Sequence, residues 1–153
     1  MKLLRKTKAR RVFQLDPMES RVLPQVLALY PRIPPAHQTL SKSAPPPDAE
    51  ACQRLLDEAL AEQRAENKRL LLDLLADPRR FKETAAGSRL SLSLPEAEWL
   101  LQILNDIRVG SWLLLGSPEQ GTETLTEATA PHYGAMELAG YFQMELLQGL
   151  EGK

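Results

Sequence analysis

Asn105, Asp106 and Arg108 stand within one helical turn of each other and form the chain's best candidate for chemistry. A guanidinium is a planar fork that grips a carboxylate or phosphate through two parallel hydrogen bonds. With an amide and a carboxylate beside it, such a set suits an anionic or peptide ligand, while Trp112 one turn later is a candidate binding residue of another kind, one that the last helix or a protein partner must cover. The same residues also fit an internal polar network tying one helix to its neighbours, and this is the preferred reading. Positions two apart on a helix do not face each other, so Asp106 and Arg108 each need a partner elsewhere. Gln63 and Asn67 are suited to that, because they interrupt an otherwise apolar stripe. Arg108 lies at the border of a wide apolar face and is expected to be largely buried, bonded like Asp106 to the second or last helix.

Other reactive residue types are sparse. His37 and His132 are the only histidines and Cys52 the only cysteine, at spacings unlike those of a zinc site. No metal and no cofactor is therefore expected. Cys52 falls on a helical stripe and reads as a small core residue. Gly110-Ser111-Trp112 lacks the G-x-S-x-G spacing of a nucleophile elbow, and no catalytic residue is assigned. Asp73 and Asp77 read as solvated or capping. Whether the chain is an enzyme is left open, with the balance against it.

Hydrophobic residues make up 43% of the 153 and charged residues 25%, enough for one core of ordinary size. The net charge of -1 conceals six basic residues ahead of Asp16; the rest holds 13 basic against 20 acidic residues. The basic start reads as a solvated tail or an edge strand, and nucleic acid is not expected as a partner. Leu3-Leu4 is too short for a signal-peptide core. The apolar run from Trp99 to Leu115 is broken by Gln102, Asn105, Asp106 and Arg108, so no membrane span is expected. A single cysteine suits a reducing compartment, and the cytoplasm is the expected location.

The elements that must position these residues follow from periodicity and caps. Residues 10–15 alternate as a short strand. Asp16-Pro17-Met18-Glu19 has the spacing of a capping box, and Val22, Leu23, Val26, Leu27 and Tyr30 follow at helical intervals. Pro24 predicts a kink or restart. Six of the twelve prolines fall in 31–47, an extended, protease-sensitive connector that trypsin should enter near Arg32 or Lys42. A second helix runs from Asp48 to near Ala76, roughly 40 Å. The alternation of Arg89–Leu94 predicts a strand that pairs with 10–15 as a small ribbon. Ser93, Pro95 and Glu96 start a third helix that ends near Leu115. A polar loop at 116–130 precedes a last helix over about 131–150.

The expected fold is mainly α: a single domain, 1–153, built as a helical bundle of four to five helices with at most one short two-stranded ribbon. Its core would hold Leu56, Leu70, Leu74, Leu100, Ile103, Leu104, Ile107, Phe142 and Leu146. The last helix is apolar over most of its circumference, which marks a central helix or half of a dimer interface.

The LNDIR segment at Leu104–Arg108 follows an LSL-P-E-A-E helix entry and a Trp, and HYGAMELAGYFQMELLQGL comes downstream. Together with the entry at Pro17-Met18-Glu19, these resemble the bacterial DUF2017 family. The resemblance spans the start, residues 89–115 and the last helix, leaving out the connector and the loop. It implies a helical protein without an assigned activity, whose relatives are often encoded beside the Clp protease adaptor that handles N-degron substrates. The expected function is thus a non-enzymatic cytosolic interaction or accessory protein, linked by that association to Clp-type proteolysis. Its partner would be another protein or a second copy bound through the last helix. The alternative is a small anionic ligand binder or enzyme that uses Asn105, Asp106 and Arg108.

Overall fold

A computed structural model describes residues 1–34, 48–117 and 126–151. Most of the proline-rich connector, His37 and the centre of the polar loop lie outside the described residues. Two strands, β1 (Lys2–Lys6) and β2 (Arg10–Leu15), lead into helix α1 (Pro17–Leu27). Helix α2 (Ala49–Ala76) is followed by β3 (Phe81–Thr84) and β4 (Gly87–Ser93), then α3 (Leu94–Leu114) and α4 (Ala130–Glu151). The strands form one antiparallel sheet in the order β1-β2-β4-β3.

Both strand-to-helix junctions are fixed by their caps. Asp16 Oδ1 accepts the Glu19 N–H at 2.8 Å, and Glu19 Oε2 accepts the Asp16 N–H at 2.9 Å. Ser93 and Glu96 repeat the exchange at 3.2 and 2.8 Å. Each box satisfies two backbone donors that a helix start leaves open, so β2 turns into α1 and β4 into α3 without an intervening loop. Helix α1 continues through Pro24 without the restart that was one of the two expected outcomes there.

The expected all-α bundle with a short ribbon is overturned by this sheet. The ribbon itself is present as the central pair, with Phe13 opposite Leu90 and Arg11 opposite Leu92. Two further strands flank it. In β1 the alternation is masked by Lys2, Arg5 and Lys6, the kind of charge that protects a sheet edge from pairing with another molecule. β3 has only four residues (FKET), and its hairpin to β4 depends on Gly87 at φ +130°. A Cβ there would sit 2.1 Å from the Leu15 carbonyl oxygen, so glycine is required for β2 to lie alongside.

One face of the sheet, with Phe13, Leu15, Leu90 and Leu92, is buried beneath the helices. Leu23 and Leu27 of α1, Leu100, Leu104 and Ile107 of α3, and Phe142 and Leu146 of α4 complete this core. Gly149 lets α4 approach the sheet, since a Cβ there would lie 2.4 Å from the Phe13 ring. The buried Arg11 guanidinium spends its donors on carbonyls of Gly149, Thr7 and Arg10, as a desolvated cation must. Helix α2 is mostly peripheral: only Leu71 and Leu74 are buried. Leu56, Leu70 and Cys52, expected inside, are only partly covered. The first part of that stripe finds no sheet to pack on among the described residues.

Candidate functional site

Asn105, Asp106, Arg108 and Trp112 all lie on α3, but the structure divides them between two places. Asp106 faces the segment that leaves α1. Its Oδ1 accepts the backbone N–H of Arg32 at 2.7 Å and that of Ile33 at 3.4 Å. The segment crosses α3 at Gly110, where a Cβ would come within 2.4 Å of the Arg32 carbonyl carbon and Cβ. Around the crossing, Arg32 Nη1 donates to the buried Ser111 hydroxyl at 3.2 Å and lies 3.1 Å from His132 Nδ1. Arg64 of α2 donates to the Ile33 carbonyl at 2.7 Å. Arg32, expected as an early cleavage point in an open connector, is thus tied down on both its backbone and its side chain. Asp106 bonds to backbone groups outside any helix, where a partner on the second or last helix was expected.

A cavity of about 230 Å³ lies beside this crossing, lined by Tyr30, Gln63, Asn67, Trp99, Asn105 and Asp106 among others. Asn67 is its organiser. Its Nδ2 donates to the Tyr30 hydroxyl at 3.0 Å, and its Oδ1 accepts from Trp99 Nε1 at 3.0 Å. Asn67 therefore serves Tyr30 and Trp99 and not Asp106 or Arg108. Its place in the middle of an apolar stripe was the available signal for a role of this kind.

Arg108 faces away from this cavity. It is exposed, not buried as expected, and its Nε donates to Gln143 Oε1 at 3.1 Å. Its Nη2 donates to Asn105 Oδ1 at 3.1 Å, and Gln143 Nε2 approaches the same oxygen at 3.5 Å. The last helix is thus its tertiary partner, through an amide and not an acid. Among the described residues Arg108 makes no salt bridge. Asn105 touches both places: it lines the cavity and receives the guanidinium. Trp112 is 37% exposed near the end of α3.

Arg108 borders a shallow groove of about 660 Å³ along the outward face of α4, with Met136, Glu137, Gly140, Met144 and Leu147. The opposite face of the helix, with Ala135, Ala139, Phe142 and Leu146, is buried. Met144 is nevertheless 57% exposed and Leu147 44%. The nearly uniform apolarity of this helix is the signal for such a face, and it does not single out the individual outward residues.

Two charged clusters lie apart from these places, one of them centred on the buried Glu19. Glu19 accepts from the Tyr141 hydroxyl and the Met1 amino group as well as from its own cap. Burial works against its charge, but these donors outweigh it and hold the carboxyl below its ordinary value, while Glu19 raises the Tyr141 hydroxyl. Asp77, at the end of α2, accepts from the Arg79 backbone at 2.9 Å and pairs with Arg80, which also reaches Glu96 at 3.2 Å. Among the described residues no group of three His, Cys, Asp or Glu side chains stands where it could hold a metal ion. No described helix is long and apolar enough to cross a membrane. Family models, curated proteins and solved structures yield no match to this chain.

Proposed function

We propose that this chain is a non-enzymatic interaction protein whose contact surface is the outward face of α4. The observation that carries this reading is the exposure of Met144 and Leu147 on a helix whose other face already fills the core. A surface helix needs one apolar stripe to dock, and a second one contributes nothing until something covers it. The family resemblance adds a setting, an accessory role in Clp-type proteolysis in a bacterial cytoplasm. A photo-activatable residue in place of Met144, expressed in the host, tests the reading. A discrete covalent adduct is expected. A yield no greater than that from the same residue at Leu55, which is 66% exposed on α2, overturns it.

The ligand-binding alternative has one observation in its favour: Arg108 is exposed and makes no ion pair among the described residues. Titration of the protein with inorganic phosphate and a small dicarboxylate, followed by calorimetry, checks it. Binding that disappears in Arg108→Met supports an anion site; no heat above dilution removes it.

A further inference from the structure

Met136, Gly140, Met144 and Leu147 line the groove at steps of four, four and three residues. Such steps keep all four on one face. Gly140 has little above it: among the described residues a Cβ there would meet only the Arg108 Cδ, at 3.6 Å. The centre of the groove is therefore bare helix backbone, open to close approach by another helix.

The charges flanking this row are opposite. Glu137 and Gln143 lie three residues before and after Gly140, which at about 100° per residue places them on opposite flanks. The Arg108 guanidinium is bonded to Gln143 and so occupies the second flank. Glu137 is exposed and makes no salt bridge among the described residues. The groove thus has an anion on one side, a cation on the other and methionines above and below a glycine.

We infer that the occupant of this face is a second copy of the chain, related by a two-fold axis at Gly140, with Arg108 of each copy against Glu137 of the other. This rests on the interaction reading above and names the partner. A two-fold interface uses the same patch twice, so the patch must complement itself. This one does, in both its apolar row and its charges. The charges also choose the orientation. Two α4 helices packed antiparallel would bring like flanks together, Arg108 facing Arg108. Helices that run in the same direction, or that cross with the one hand that sets Gln143 of each copy over Glu137 of the other, bring opposite flanks together. The self-complementary arrangement is therefore parallel or crossed with that one hand, with the backbones closest at Gly140 and methionine, an adaptable interface residue, on either side.

Sedimentation equilibrium on the full chain, at low salt and over a range of concentrations, provides the test. Reversible dimerisation is expected. Arg108→Glu and Glu137→Arg should each weaken it by about tenfold or more, because each substitution acts twice in a two-fold pair and sets like charges together. The double substitution should recover most of the loss. Met144→Lys should abolish the dimer while leaving the thermal unfolding curve of the monomer in place, since the side chain is outside the core. A dimer indifferent to the two single charge reversals overturns the arrangement. A chain that stays monomeric while the photo-adduct at position 144 forms with a different protein overturns the second copy and leaves the interaction reading standing. Absence of both dimer and adduct removes both.

Discussion

Replacing Gly110 by Ala tests whether the crossing of the 30–33 segment over α3 is an essential contact. Two effects oppose each other. In a helix interior, alanine is favoured over glycine by about 1 kcal/mol. Against this, the added methyl would lie 2.4 Å from the Arg32 backbone, where ordinary contact begins near 3.4 Å. The segment must retreat by about 1 Å, and the 2.7 Å bond from the Arg32 N–H to Asp106 then stretches beyond useful range. A hydrogen bond to a charged acceptor contributes about 1.5–3 kcal/mol, and overpacking costs about 1–3 kcal/mol more. The net expectation is a loss of about 2–4 kcal/mol, or roughly 5–15 °C in Tm for a chain of this size. Gly134→Ala is the matched control: no described residue lies within 4 Å of its Cβ position, so the same chemical change should be neutral or mildly stabilising. Urea unfolding followed by tryptophan fluorescence measures both. Asp106→Asn should also cost less in the Gly110→Ala background than alone, because the two substitutions break one contact. Gly110→Ala as stable as Gly134→Ala would refute the reasoning.

Asn67→Leu should destabilise by about 1–3 kcal/mol, since it strips the partner from the Trp99 indole N–H and from the Tyr30 hydroxyl; urea unfolding measures the cost, and an unchanged midpoint would show that water replaces the amide. Arg108→Met should cost under about 1 kcal/mol, because the guanidinium is exposed and, among the described residues, bonded only to neutral amides; a large drop in Tm would restore the buried-network expectation. Burial of Glu96 is outweighed by the Ser93 cap and Arg80, so its carboxyl titrates below its ordinary value of 4.5. A lowered folded pKa gives stability that is present above the unfolded value and lost as pH falls through the folded one. The fall in unfolding free energy between neutral pH and about pH 3 should therefore be shallower in Glu96→Gln than in the wild type; an equal slope would place the acid sensitivity elsewhere.

The parts of the fold that were legible in the sequence are those set by local chemistry. Asp16 with Glu19, and Ser93 with Glu96, mark helix starts because a cap is a four-residue device readable without tertiary context. The pairing of 10–15 with the strand after Arg89 was legible because both alternate. β1 and β3 were not, because one is disguised by edge charges and the other is four residues long. With two strands missing, a sheet looked like a ribbon and the fold looked like a bundle. The burial of α3 followed from its period, whereas Leu56 and Leu70 fit the same rule on α2 and remain part-covered. Periodicity reports a face that can be buried, and only the tertiary arrangement decides whether something arrives to bury it. The candidate site shows the same limit. Spacing along α3 placed Asn105, Asp106 and Arg108 together, but Asp106 and Arg108 point about 200° apart around a helix, and each was captured by a different neighbour.

The central strand pairing has a consequence for the order in which the chain can assemble. Leu15 pairs with Ser88, so α1 and α2 both lie inside the loop that this ladder closes. Closing a loop of that length costs about 4 kcal/mol of chain entropy before any contact compensates it. During synthesis, β1 and β2 emerge before β4 and can form a hairpin at once, yet the inner edge of β2 has no mate until β4 leaves the ribosome. Because α3 begins at Leu94 with no intervening loop, the missing strand and the helix that roofs it arrive together. A nascent chain halted before Gly87 would therefore present an unpaired strand carrying Phe13 and Leu15, a sticky template for chaperones or for other nascent chains.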